Sequence, residues 1–120
     1  MDSSPLIVQR LEEMLSEVAI ITAIYSSVCY ENALKLYIEK RPGVVLLGIS
    51  LQAFQPINLL AQIKKHNYKT QVIVLSIDGD EYTYEQCQLL GADHLLDKYR
   101  DFEKLPGIIH SISTSVKLIN

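Results

Sequence analysis

The 120 residues are enough for one domain, 1–120, with a core that closes without a metal or a disulfide. Apolar residues make up 48% and charged residues 21%, which excludes a disordered chain, and a formal charge of −3 lacks the basic footprint of a nucleic-acid binder. No apolar run approaches the ~20 residues of a membrane span, no secretory leader is visible, and Cys29 and Cys87 lie too far apart for a metal spacing, all pointing to a reduced, cytoplasmic protein.

The first helix starts at Ser4-Pro5, serine suiting the N-cap and proline the first helical position. Leu6, Ile7, Leu11, Met14, Leu15 and Val18 follow at helical spacing. Val18 to Tyr25 is β-branched and apolar and reads as a strand. Ser26-Ser27 opens a second helix with a stripe of Ala33, Leu34, Tyr37 and Ile38, stopped by Pro42-Gly43. Val44 to Leu47 is a short continuous apolar strand, the pattern expected when both faces are covered. A loop with Gln55 and Pro56 leads into a third helix with Leu59, Leu60 and Ile63 inward. Lys64-Lys65 sits near its carboxyl end, where cations complement the helix dipole.

Gln71 to Ser76 is another buried strand. The loop Asp78-Gly79-Asp80 places acids at the start of the next helix, which runs to about Leu90 and stops at Gly91. Ala92 to Leu96 is a last short strand. The final helix begins near Leu105-Pro106, and Ile108, Ile109, Ile112, Val116 and Ile119 are read as one amphipathic stripe. Helices and strands alternate throughout, which is the pattern of a parallel sheet wrapped by helices on both faces.

Four segments, in order and at matching separations, resemble response-regulator receiver domains, the CheY-like modules of two-component phosphorelay signalling. Asp2 to Leu15 resembles their acidic pair and first helix. Val44 to Leu51 (VVLLGISL) resembles their third strand, Gln71 to Ser76 (QVIVLS) their fourth, and Gly91 to Lys98 (GADHLLDK) their fifth. The resemblance covers nearly the whole chain. It implies a flavodoxin-like α/β fold with strand order 2-1-3-4-5 and no enzymatic role. Only Met1 precedes Asp2, so the family's first, inner strand is expected to be missing. That leaves about four strands, with Val18–Tyr25 pairing directly with Val44–Leu47 or leaving an open edge that invites a homodimer.

Position by position, the resemblance places the phosphoacceptor aspartate on Gly48, the Mg²⁺-holding acidic pair on Asp2 and Ser3, the switch hydroxyl on Ser76 and the phosphate-contacting lysine on Lys98. The proline after the acceptor falls on Gln52 and the switch aromatic on Leu95. Phosphoryl transfer needs a carboxylate nucleophile and a divalent cation. Glycine has no nucleophile and one acid makes a poor Mg²⁺ site, so the pocket Asp2, Gly48, Ser76 and Lys98 is expected to be vestigial, without metal or other cofactor. With no aspartate at 48, Lys98 is free to pair with Asp97, Asp2 or an anion. His66, His94 and His110 do not cluster as metal ligands.

Tyr82, Tyr84 and Tyr99 fall on what the family uses as its output face, where a histidine kinase or a downstream effector would dock, although half-buried aromatics such as Tyr30 and Tyr37 have the same composition. The expected function is therefore a pseudo-receiver that signals by protein contact without phosphorylation. Two alternatives stand beside it. One is a flavodoxin-like small-ligand or nucleotide-binding domain, against which the isolated glycines count. The other is the receiver fragment of a larger transcription regulator.

Overall fold

In a computed structural model of the chain, residues 1–49, 54–76, 81–112 and 116–120 are described. Helix α1 (Pro5–Leu15) is capped by Ser4, whose hydroxyl accepts the Ile7 N–H at 3.4 Å, with proline in the first turn. It buries Ile7, Val8, Leu11 and Leu15. Strand β1 (Ile21–Tyr25) begins three residues later than its apolar run, because Val18 is held in the turn leaving α1 by its N–H to Leu15 O at 3.0 Å. Helix α2 (Tyr30–Lys40) starts after Ser27, whose hydroxyl accepts from Cys29 N–H at 3.3 Å and from the Asn32 amide at 3.2 Å. It ends at Arg41 in the left-handed region (φ 46°), followed by Pro42.

Strand β2 (Val44–Ile49) is buried along its whole length and runs two residues beyond the apolar stretch read from sequence. Helix α3 (Phe54–His66) takes Gln55 and Pro56 into its first turn, not into a preceding loop. Strand β3 (Gln71–Ser76) has the expected bounds. Helix α4 (Glu81–Leu89) is followed by Gly91 at φ 98°, a conformation that favours glycine. Strand β4 is His94–Asp97, and a 3₁₀ turn (Phe102–Lys104) leads into α5 (Leu105–Ile112). The loop Asp78-Gly79-Asp80 and Gln52 lie outside the described residues.

The chain then departs from expectation. Helix α5 stops at Ile112, and Val116–Ile119 form a fifth strand, β5. The sheet has five parallel strands in the order β1-β5-β2-β3-β4. The expectation of about four strands with the inner one missing is thus corrected. Val18–Tyr25 does not pair with Val44–Leu47, because β5 stands between them, with Leu118 opposite both Ile24 and Val44. The place of the family's first strand is filled from the far end of the chain.

The same strand continues across the gap between the chain ends. Asn120 N donates to Tyr25 O at 2.7 Å, and Ser27 N donates to Asn120 O at 3.2 Å. The Met1 amine then bonds to Leu46 O, and Gly48 N donates to Met1 O at 2.7 Å, which sets Met1 opposite Leu47. Ile119 faces Val45, so Asn120 takes the position opposite Leu46, and Met1 and Asp2 are the next two residues of one ladder. Side chains alternate without a slip across the break. Leu118 packs with α1 and α5, Ile119 with α2–α4, the Asn120 amide donates to Val8 O of α1 at 2.8 Å, and Met1 joins the α2–α4 cluster.

Two cores result, one on each face of the sheet. Ile7, Leu11 and Leu15 of α1 with Leu105 and Ile109 of α5 cover Val44, Leu46, Ile73 and Leu75. Ala33, Leu60, Ile63 and Cys87 of α2–α4 cover Val45, Leu47, Val72 and Val74. An edge tie closes the amino end of β3: Lys64 Nζ lies 2.7 Å from Asp93 Oδ2, which also accepts the Val72 N–H at 2.8 Å.

Candidate functional site

Gly48, Ser76 and Lys98 come together at the carboxyl ends of β2, β3 and β4, the end of a parallel sheet where ligands and chemistry collect. The split inner strand delivers Asp2 to the same place. Pairing sets Gly48 opposite Leu75 and Ile49 opposite Ser76, and Lys98 N donates to Ser76 O at 2.8 Å, one residue beyond the β4 ladder.

Asp2 and Lys98 form an ion pair, Oδ2 to Nζ 2.6 Å, with side chains only 3% and 6% exposed. Asp2 Oδ1 accepts the Ser4 N–H at 2.9 Å, so the carboxylate is held at the start of α1 as well. Of the partners open to Lys98 in the sequence, the structure selects Asp2. Asp97 is engaged elsewhere: its Oδ1 accepts from Arg100 N and Tyr99 N, both at 2.8 Å, and these bonds hold its carboxyl below the usual range.

The glycine now has a physical role. A Cβ built on Gly48 would lie 2.0 Å from Asp2 Oδ2 and 2.6 Å from its Cγ. The carboxylate of Asp2 lies across the bare Cα of residue 48, and a side chain there would collide with it. The space that a side chain at residue 48 would take is filled by the carboxylate of another strand.

Ser76 is turned to a different partner. Its Oγ is 2.7 Å from the Tyr84 hydroxyl of α4. Tyr84 therefore points inward, whereas Tyr82 and Tyr99 are 69% and 60% exposed, and Leu89 on α4 is 81% exposed. The three tyrosines grouped by sequence thus divide between one half-buried tether and two surface rings. Leu95, on which the resemblance placed the switch aromatic, pairs with Val74 and packs against the α2–α4 core.

A divalent cation does not fit this donor set. The carboxylate of Asp2 is neutralised by an ammonium at 2.6 Å, residue 48 offers no side-chain oxygen, and Mg²⁺ requires several hard oxygen ligands. Among the described residues no group of three acidic, histidine or cysteine side chains is placed to hold a metal.

Two further participants were not assigned to this pocket from sequence. The Met1 amine is fully buried, and desolvation pushes it down from 8.0 to about 5. Tyr30, at the start of α2, has its hydroxyl pushed up first by burial and then by the Asp2 charge. Neither carries a local signal, since both depend on where residue 1 lies in the sheet.

Comparison with known proteins agrees with this architecture. The family model described as the response regulator receiver domain matches residues 1–110, ending before β5. The chain is similar in structure to a DNA-binding response regulator of the LuxR family from Staphylococcus aureus, with TM-score 0.81, 21% identity and 92% of each chain covered. It is also similar to the signal receiver domain of a NarL response regulator from Mycobacterium tuberculosis, with TM-score 0.80, 19% identity, and 92% and 89% covered. A third likeness is the response regulator domain of CheB from Thermotoga maritima, with TM-score 0.73, 21% identity, and 92% and 88% covered. The chain belongs to the response regulator receiver domain family.

Proposed function

We propose that this receiver works without phosphorylation, as a two-component signalling module that acts by protein contact. The observation that carries the reading is the Asp2 carboxylate lying across Gly48 and paired to Lys98 at 2.6 Å. Acyl-phosphate formation needs a carboxylate oxygen that is free to attack phosphorus and a cation to offset the transferring charge. Residue 48 supplies no oxygen. The Asp2 carboxylate is enclosed, and its charge is balanced by the lysine that would otherwise meet the phosphoryl group. The chain fixes internally the lysine contact that an acceptor would make.

The docking surface in this reading is the side bearing α4 and the turn after β4. Tyr82, Leu89 and Tyr99 present apolar area to solvent there, and a histidine kinase or a downstream effector is the partner class. Ser76 and Tyr84 connect that side to the closed pocket by one hydrogen bond. No helix among the described residues is long and apolar enough to cross a membrane, and the proposed place of action is the cytoplasm.

The test is incubation with a small phosphodonor and Mg²⁺, followed by intact-mass analysis under conditions that preserve acyl phosphates. No acid-labile adduct of about 80 Da, the mass of one phosphoryl group, is expected. A stoichiometric adduct would refute the proposal.

A further inference from the structure

We propose that the cavity between the carboxyl ends of α2 and α3 is a binding site for a small organic phosphomonoester. It lies at the amino end of the sheet, opposite to Gly48, Ser76 and Lys98, and the inference stands apart from the reading of that pocket. Arg41 and Pro42 lead from α2 into β2, and His66, Asn67 and Thr70 lead from α3 into β3, so two helix-to-strand connections wall one space. The cavity measures about 260 Å³. A water takes about 30 Å³ of liquid, so there is more room than an inorganic ion fills, just below the ~300 Å³ at which pockets for drug-sized ligands begin.

The polar lining is rich in donors. The Arg41 guanidinium holds donors only, in a fork that suits phosphate oxygens. Asn67 Oδ1 is taken by the Lys69 N–H at 3.0 Å, which leaves the amide N–H groups as its free side. Tyr37 and Thr70, only 5% and 3% exposed, share one hydrogen bond of 2.9 Å between their hydroxyls. One of the two protons makes that bond, and the other has no acceptor among the described residues, so an acceptor in the cavity would take it. His66 adds a ring N–H. Nearby carbonyls are already used: Tyr37 O by Arg41 N at 2.9 Å, Asn67 O by Thr70 N at 3.1 Å, and Thr70 O by Lys64 Nζ at 2.6 Å.

Charge points the same way. The stretches 38–43 and 64–70 that frame the cavity carry Lys40, Arg41, Lys64, Lys65 and Lys69 against one acid, Glu39. Lys64 is tied to Asp93, and Lys40 lies over the Tyr25 ring at 5.4 Å. Arg41, Lys65 and Lys69 stand exposed, with no acidic partner among the described residues, and concentrate anions at this end of the molecule. Donors enter from Arg41 on one connection and from His66, Asn67 and Thr70 on the other. A phosphate, doubly charged and with three terminal oxygens pointing apart, meets donors on several sides better than a planar carboxylate does. The remaining walls are Ile38, Pro42 and the rings of Tyr37 and His66, whose centres are 6.3 Å apart at 55°. They suit a compact organic part.

The experiment titrates the isotope-labelled full chain with ribose phosphate and with adenosine monophosphate, beside inorganic phosphate and citrate, and follows the backbone amide signals. Shifts grouped at 38–43 and 66–70 are expected, with one or both organic phosphates bound about tenfold more tightly than inorganic phosphate or citrate. The two organic arms separate a sugar phosphate from a nucleotide. Arg41→Asn removes the guanidinium at a left-handed position (φ 46°) that asparagine tolerates, and should weaken binding about tenfold or more. The map on the unaltered chain decides the matter even where that variant fails to fold. No shift at millimolar ligand, shifts centred on Gly48, Ser76 and Lys98, inorganic phosphate or citrate bound as tightly, or undiminished binding by Arg41→Asn would each overturn the inference.

Discussion

Replacing Lys98 by methionine tests the closed pocket directly. The methionine keeps most of the stem and removes the ammonium. Asp2 is then left with a carboxylate 3% exposed and one remaining bond, from Ser4 N at 2.9 Å. Removing one partner of a buried ion pair costs about 3–5 kcal/mol, because the other charge stays desolvated. A domain of this size shifts its melting temperature by about 4 °C per kcal/mol, so a fall of roughly 12–20 °C is expected. Asp2→Asn should cost less, about 1–3 kcal/mol, since a lysine can swing its head to water and an amide still accepts from Ser4 N. The double variant should be more stable than Lys98→Met alone. Urea unfolding of the four chains closes the cycle. A Lys98→Met cost below about 0.5 kcal/mol, or strictly additive effects, would show that the pair does not hold the pocket.

Other expectations follow from the same geometry. Gly48→Ala must displace the Asp2 carboxylate and should cost about 1–3 kcal/mol in urea unfolding, but little in an Asp2→Ala background, where the colliding atoms are gone. Tyr84→Phe leaves the buried Ser76 hydroxyl without its partner and should cost about 1 kcal/mol, most of it recovered by adding Ser76→Ala. The Met1 amine of the 120-residue chain is lowered from 8.0 to about 5 by burial, so between those values the unfolded chain holds a proton that the folded chain has released. Stability from this group therefore rises with pH through the window and falls on acidification, by up to about 1.4 kcal/mol per unit. Urea midpoints across pH should show this slope in the chain as it stands and lose it when Asn120 is joined to Met1.

Much of the sheet was legible because its inner strands are covered on both faces. VVLL and QVIVLS are continuous apolar runs, and they became β2 and β3. The α1 start was equally legible, since Ser4 and Pro5 act through local hydrogen bonding. The end of the chain misled for a definite reason. Ile108, Ile109, Ile112, Val116 and Ile119 share helical spacing, yet Val116 and Ile119 are strand residues. The polar triplet at 113–115, with β-branched Val116 and Ile119 after it, was the available signal against one long helix. Of the pocket, the resemblance to the family grouped Asp2, Gly48, Ser76 and Lys98, but it could not show that Asp2 crosses Gly48 or that Ser76 turns to Tyr84. The second contact depends on how α4 packs beside β3, and the first on where residue 1 lies beside residue 120 in the sheet, a relation spanning the whole chain.

That relation also changes how the glycine is understood. Taken alone, Gly48 looks like a residue left behind after an aspartate was lost. Beside Asp2 it is a steric requirement, since any larger residue would collide with a carboxylate held by Lys98 and by the first turn of α1. The bare Cα at 48 and the buried pair are thus two halves of one arrangement. An aspartate restored at 48 would meet a second carboxylate within bonding distance, and like charges so close cannot both stay ionised. Placing an acceptor at 48 would therefore require residues 2 and 48 to change together, with Asp2 withdrawn from Lys98, whereas Tyr82, Leu89 and Tyr99 stand exposed on the surface, outside the pocket.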